Sequence, residues 1–344
     1  MKRTLPLFVF LLSAAAAPAG DVLSWGRPLP ADRDAKWTVS YGTFAGIDGH
    51  VHETFRAFYQ ATGQDEKQAL AESYSFSDFG VDGSYPAFGV HYEKQWAFFS
   101  FRWDLLWLSL ETDATARRDY YLGLGDEISY GGHKYDHLMI SAGTDFSLAF
   151  DGVWTTFGGA FAPFTLEVAD AVRVTPELDL GLVLIGGQYD IDAGKPHGTT
   201  VYQNPPVDFV VGGSSSSFIG AGAPMVGAGV EVRVGPEDWI QWVTRANLGL
   251  FSYSGSTKPF SSSNHREKDL DLDFFSLSVD TSVVLPMDDA TCFTVGLRLE
   301  YMDLDAEIKS KDRDVASIVA ARERFDKSAD FSAFSAMVYA GITF

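Results

Sequence analysis

The sequence predicts an all-β chain: a single antiparallel transmembrane β-barrel of about 12 strands, with short turns at one rim and long loops at the other. Three observations carry this. Apolar residues recur at every second position in stretch after stretch, the period of a strand with one apolar face. The connections between these stretches alternate between short and long. No stretch supplies the roughly 20 nearly uninterrupted apolar residues that a membrane helix needs. The most apolar one, Trp96 to Leu110, is interrupted by Arg102 and Asp104.

In chain order, residues 1–19 read as a leader. Lys2 and Arg3 precede the apolar run Leu5 to Leu12, and Ala17-Pro18-Ala19 supplies a small-residue cleavage site. That pattern predicts a cleaved signal peptide, because the run is too short to span a bilayer and lacks stop-transfer charges. Residues 20–344 are then the barrel. Its first strands fall near 36–46, 85–93 and 99–107; in the last, Phe99, Phe101, Trp103, Leu105 and Trp107 oppose Ser100, Arg102 and Asp104. Stretches at 118–130, 136–149 and 152–166 carry weaker alternation. Leu178, Leu180, Leu182 and Leu184 alternate with Glu177, Asp179 and Gly181. Val226 to Val234 faces away from Glu231 and Arg233, and Ile240 to Leu250 away from Gln241, Arg245 and Asn247. Phe275 to Leu285 opposes Asp280 and three serines, while Phe293 to Tyr301 opposes Arg298 and Glu300. The last stretch is the cleanest: Phe334, Ala336, Val338, Ala340, Ile342 and Phe344 form one smooth apolar face.

This final strand, ending on Phe344, resembles those of Gram-negative outer-membrane β-barrel proteins of the porin-like kind, whose closing strand ends in Phe. The resemblance implies an address in the bacterial outer membrane, outer-membrane lipid as a partner, and Val338, Ala340, Ile342 and Phe344 as the signal read by the barrel assembly machinery. Tyr339 departs from the family pattern, standing where a glycine is often found. With Phe344 at the periplasmic rim, 235–237 and 286–289 fall periplasmic, and the long polar segments 47–84, 189–217, 253–268 and 308–330 fall external.

In a transmembrane barrel the polar face of each strand points into the lumen. The strand phases therefore nominate Arg102, Asp104, Glu231, Arg233, Gln241, Arg245, Asp280, Arg298 and Glu300 as lumen-lining. Two readings follow. These groups line a passive channel for small hydrophilic solutes, or they pair across a filled barrel and satisfy one another. The second reading leaves a closed barrel whose external loops bind a surface partner, lipid or ion. Tryptophans on the apolar faces fit interfacial girdles.

No enzyme is expected. Ser261-Ser262-Ser263-Asn264-His265 holds hydrolase residue types but falls in a loop, and no nucleophile elbow, phosphate loop or dinucleotide fingerprint appears. His50 and His52 share a face without a third ligand, so no metal site is expected, and nothing calls for a cofactor. The acids of Asp269-Leu270-Asp271-Leu272-Asp273 and Asp303-Leu304-Asp305 read as solvated charge where strands leave the bilayer, with divalent-ion bridging to lipid phosphates as the alternative. A net charge of −20, with 26 Lys and Arg against 46 Asp and Glu, argues against nucleic acid as a partner. Cys292 stands alone, so no internal disulfide forms.

Overall fold

The structure is a computed structural model, and it describes residues 23–27, 34–54, 71–169, 171–203, 206–236, 239–257, 268–288, 290–310 and 326–344. The expected leader at 1–19 and the Ser261–His265 segment lie outside the described residues. In chain order the strands are β1 (Leu23–Trp25), β2 (Ala35–Thr54), β3 (Ala71–Ser75), β4 (Ser84–Gln95), β5 (Phe99–Thr115), β6 (Tyr120–Tyr130), β7 (His133–Ile140), β8 (Asp145–Phe161) and β9 (Phe164–Ala169). They continue with β10 (Val172–Asp192), β11 (Gly198–Gln203), β12 (Pro206–Val211), β13 (Ser214–Val234), β14 (Gln241–Thr257), β15 (Lys268–Pro286), β16 (Cys292–Ser310) and β17 (Asp326–Thr343).

Ten of these form the wall. The order β10-β13-β14-β15-β16-β17-β2-β4-β5-β8 is antiparallel throughout, and β8 pairs back onto β10 over Ser147 to Phe161, closing the ring. Closure removes every free edge, the only way a sheet can sit in hydrocarbon. The all-β antiparallel barrel is the one the sequence predicts; the wall holds ten strands where about 12 were expected. Two of the expected stretches leave it. Residues 118–130 and the first part of 136–149 become β6 and β7, which join β11 and β12 in a separate four-stranded sheet. Alternation shows that a segment is a strand but not which sheet it joins. The distinguishing fact is burial: His137, Leu138 and Ile140 are almost fully buried, whereas a wall strand would show one face to lipid.

The wall strands read as their sequences dictate. On β17 the Phe334 to Phe344 face points outward, with Val338 60% exposed, while Ser335, Met337 and Tyr339 point inward and are buried. That face covers about 33 Å at ~3.3 Å per residue, or roughly 25 Å at a tilt of ~40°, the height of a lipid-facing band. Leu178, Leu180, Leu182, Trp107, Val226 and Trp242 are exposed on the same outer surface. A bulge at Gly46, whose φ of 59° suits a residue without Cβ, shifts the register against β17. Phe44 and Ile47, on either side of it, are therefore both buried.

The strands run well past the lipid band at one rim. β16 reaches Ser310 and β17 starts at Asp326, so the expected loop 308–330 is partly strand. The periodic signal ends there because the outer face turns acidic while the hydrogen-bond ladder continues: Asp273 pairs with Asp305, and Asp305 with Asp330. Three short connections, 96–98, 235–240 and 287–291, and the β8–β10 connection that holds β9 share the opposite rim with Phe344, where the Phe344 and Ala35 backbones exchange hydrogen bonds. The second sheet is built from the β5–β8 and β10–β13 connections, joined where β12 runs parallel to β7.

Candidate functional site in the barrel lumen

The bore divides into three levels. At the loop rim it is apolar. The 3-10 turn Phe76–Phe79, between β3 and β4, lowers Phe79 among Tyr74, Tyr120 and Phe146, with ring centroids 5.3, 5.8 and 5.6 Å away. Thr112 Oγ1 on β5 donates to the Phe79 carbonyl at 2.6 Å and pins the turn to the wall. Phe44, Leu110, Val183, Phe274 and Met302 from the wall join Leu122, Ile128, Leu138 and Val210 from the second sheet in one buried cluster. The sheet thus seats on the mouth as an apolar stopper. Trp154 on β8 and Phe274 on β15 approach across the bore, with centroids 6.0 Å apart.

Nearer the turn rim the bore is ionic. Glu93 on β4, Glu177 on β10 and Glu231 on β13 are each 1–2% exposed. Arg245 on β14 reaches Glu93 at 3.1 Å and Glu231 at 2.5 Å. In the ring β14 and β4 are five positions apart of ten, so this contact crosses the full diameter. Arg102 on β5 holds Glu93 at 3.1 Å, Glu177 at 2.6 Å and Asp179 at 3.1 Å. Arg233 donates to Glu231 at 2.6 Å. A further arginine arrives from outside the wall: Arg27, just after β1, is 4% exposed and pairs with Glu177. Its segment is tied in place where β1 pairs with β9 and where the Arg27 amide donates to Ala97 O. Three buried carboxylates and Asp179 are shared among four guanidiniums, so each charge has an opposite neighbour, while Arg27 Nε and Nη1 and Arg245 Nε find no hydrogen-bond acceptor among the described residues.

Between the two levels lies a cavity of about 150 Å³, lined by His91, Asp104, Asp280, Arg298, Glu300 and Tyr339 among others. His91 Nδ1 lies 2.8 Å from Asp104, which Arg298 also contacts, and Arg298 Nε reaches Asp280 at 3.4 Å. Tyr339 donates its hydroxyl to Asp280. Its ring lies over Gly296, where an added Cβ would come within 2.4 Å of Tyr339 Cζ. Tyr339 is thus a lumen residue that needs a glycine opposite. A second cavity of about 80 Å³ lies on the turn-rim side of the ionic layer, lined by Lys36, Glu93, Arg233, Gln241 and Arg245.

The structure places the sequence-nominated residues at two levels of the lumen and at the turn rim. Arg102, Glu231, Arg233 and Arg245 meet in the ionic layer; Asp104, Asp280, Arg298 and Glu300 line the larger cavity. Gln241 sits at the turn rim, donating to Pro236 O at 3.2 Å. Sequence reasoning missed Glu93, Glu177, Asp179, His91, Tyr339 and Arg27. Val338, Ala340, Ile342 and Phe344 share the lipid face of β17. Among the described residues no group of three His, Cys, Asp or Glu is arranged to hold a metal. His50 lies on the outer wall 3.4 Å from Asp330, both more than half exposed, and the His52 side chain lies outside the described residues.

A closed ring, apolar outside and charged within, with short turns at one rim and long extensions at the other, defines a transmembrane β-barrel of the outer-membrane type. No protein-family model matches the chain, and no curated protein matches it. Solved structures do. The outer-membrane protease OmpT from Escherichia coli is similar at 10% identity and a TM-score of 0.46, over 92% of this chain and 99% of that one. The P. putida toluene transporter TodX matches at 10% identity and a TM-score of 0.23, over 90% of each chain. The β domain of the Bordetella autotransporter BrkA matches at 9% and 0.27, over 88% of this chain and 99% of that one.

Proposed function

We propose that this protein is a closed barrel of the bacterial outer membrane that acts at its external face, where the second sheet and the strand extensions meet a surface partner, lipid or ion. The observation that carries this is the double closure of the bore, an apolar stopper above an ionic layer that crosses the full diameter. Passive passage of small hydrophilic solutes, the first expectation from sequence, requires both closures to yield. Breaking one buried ion pair costs about 3–5 kcal/mol, which holds the open population of the ionic layer alone to roughly one part in 10² to 10⁴. The external wall offers the working surface: Asp273, Asp305 and Asp330 stand in one row above the lipid band. On this reading Val338, Ala340, Ile342 and Phe344 serve lipid contact and recognition by the assembly machinery.

Liposome swelling tests the proposal. Liposomes carrying the purified protein should swell in arabinose no faster than protein-free liposomes. Swelling that falls off with sugar size would mean an open pore and would overturn it.

A further inference from the structure

The geometry points to the larger lumen cavity as a binding site for a small organic cation, a primary ammonium on a short apolar body, with Glu300 as its counter-ion. This goes beyond the external role and does not depend on it.

The argument begins with the pairing of the charges. Arg102, Arg245 and Arg298 line the cavity against Asp104, Asp179, Asp280 and Glu300. Every guanidinium is taken: Arg102 by Glu93, Glu177 and Asp179, Arg245 by Glu93 and Glu231, Arg298 by Asp104 and Asp280. Three of the four carboxylates are taken as well, Asp104 by His91 and Arg298, Asp179 by Arg102, Asp280 by Arg298 and Tyr339. Glu300 is the remainder. Among the described residues its carboxylate makes no hydrogen bond or ion pair, although it faces the same space. Glu300 is half-buried and near enough to Arg298 to feel its charge, but it has no hydrogen-bonded partner, and a cation supplied from outside would give it one.

The surroundings select the kind of cation. Ser278 and Ser335 stand directly beside Glu300 in the strand register, and all three side chains line the cavity. An ammonium has three N–H donors, so one carboxylate and two hydroxyls on neighbouring strands match it. A divalent metal would need about six oxygen ligands, and no three-ligand group exists among the described residues. Toward the stopper the lining turns apolar, with Trp154, Phe274 and Met225. Those side chains suit a short alkyl or aryl body and add cation–π attraction from the rings. A volume of about 150 Å³ holds a molecule of single-ring size.

Equilibrium dialysis of the full chain in detergent at neutral pH, with n-butylammonium, n-butanol and butyrate as separate probes, tests this. The expected result is saturable uptake of one n-butylammonium per barrel, at least about tenfold tighter than the other two probes. Equal retention of n-butanol would mean that Glu300 is held neutral by a proton, and would overturn the proposal. So would no retention of n-butylammonium up to about 10 mM. Glu300→Gln should weaken n-butylammonium about tenfold and leave n-butanol unchanged, with folding checked by heat-dependent gel mobility. Unchanged n-butylammonium binding in that variant refutes the site. Should Glu300→Gln fail to fold, the comparison of three probes on the unmodified protein still decides. Asp113→Asn, exposed on β5 and outside both proposed surfaces, should bind like the parent; a matching loss there would mean diffuse attraction to acidic surface and refute the site too.

Discussion

Glu93 offers the sharpest mutational test of the ionic layer. Its carboxylate is 1% exposed and takes Arg102 Nε at 3.1 Å and Arg245 Nη2 and Nη1 at 3.1 and 3.3 Å. At 3.1 Å and an effective dielectric of about 20, each full charge pair is worth about 5 kcal/mol before desolvation is set against it. Glu93→Gln keeps the shape and removes the charge. Arg102 retains Glu177 and Asp179, and Arg245 retains Glu231, so the loss is partial. The expected destabilisation is about 3 kcal/mol, within the range for removing one member of a buried ionic set. Urea unfolding of the barrel in lipid vesicles, followed by tryptophan fluorescence, should show a lower midpoint at unchanged slope. The double variant Glu93→Leu, Arg245→Met should recover most of the loss, because replacing both partners leaves no orphaned charge. A Glu93→Gln variant within about 0.5 kcal/mol of the parent would refute the layer as a structural element.

Other perturbations separate the faces and levels of the wall. Val338→Arg, at the middle of the lipid face of β17, should cost about 2–4 kcal/mol in vesicle unfolding, whereas Asp305→Arg above the band should cost about zero; equal costs would contradict the placement of the bilayer. Tyr339→Phe removes one hydrogen bond to a charged acceptor, and a loss of about 1.5–3 kcal/mol is expected from the same assay. Burial and nearby Asp78 raise the Tyr120 hydroxyl above the usual tyrosine range. An acid raised in the folded state holds its proton more tightly there, so its contribution is intact below about pH 10 and is lost above it. Protection of second-sheet amides, measured against the intrinsic exchange rate at each pH, should therefore fall above that pH in the parent and hold in Tyr120→Phe.

Much of this fold is readable from strand phase. The sides assigned to Val338, Leu180 and Val226 follow from period-two alternation, because lipid tolerates only one kind of side chain on the outer face. The number of wall strands is less readable, since β6 and β7 alternate like wall strands and only tertiary burial of Leu138 and Ile140 sets them apart. In the lumen, Arg102, Arg245 and Arg298 stand out against clean apolar partners. Glu93 and His91 do not, because Tyr85 and Ala87 share their inward face and blur the pattern; the opposite phase of Phe88, Val90 and Tyr92 is the signal that could have found them. Glu177 and Asp179 alternate visibly with leucines, so the same phase argument reaches them. Arg27 had no such signal, for it comes from a segment outside the wall and its partner Glu177 is 150 residues away.

Single-channel recording in planar bilayers bears most directly on whether the bore is closed. The parent protein should insert and stay electrically silent, and so should a Glu93→Ala, Arg245→Ala variant, because the apolar stopper still closes the bore. Stable, discrete conductance steps from the parent itself would contradict the account.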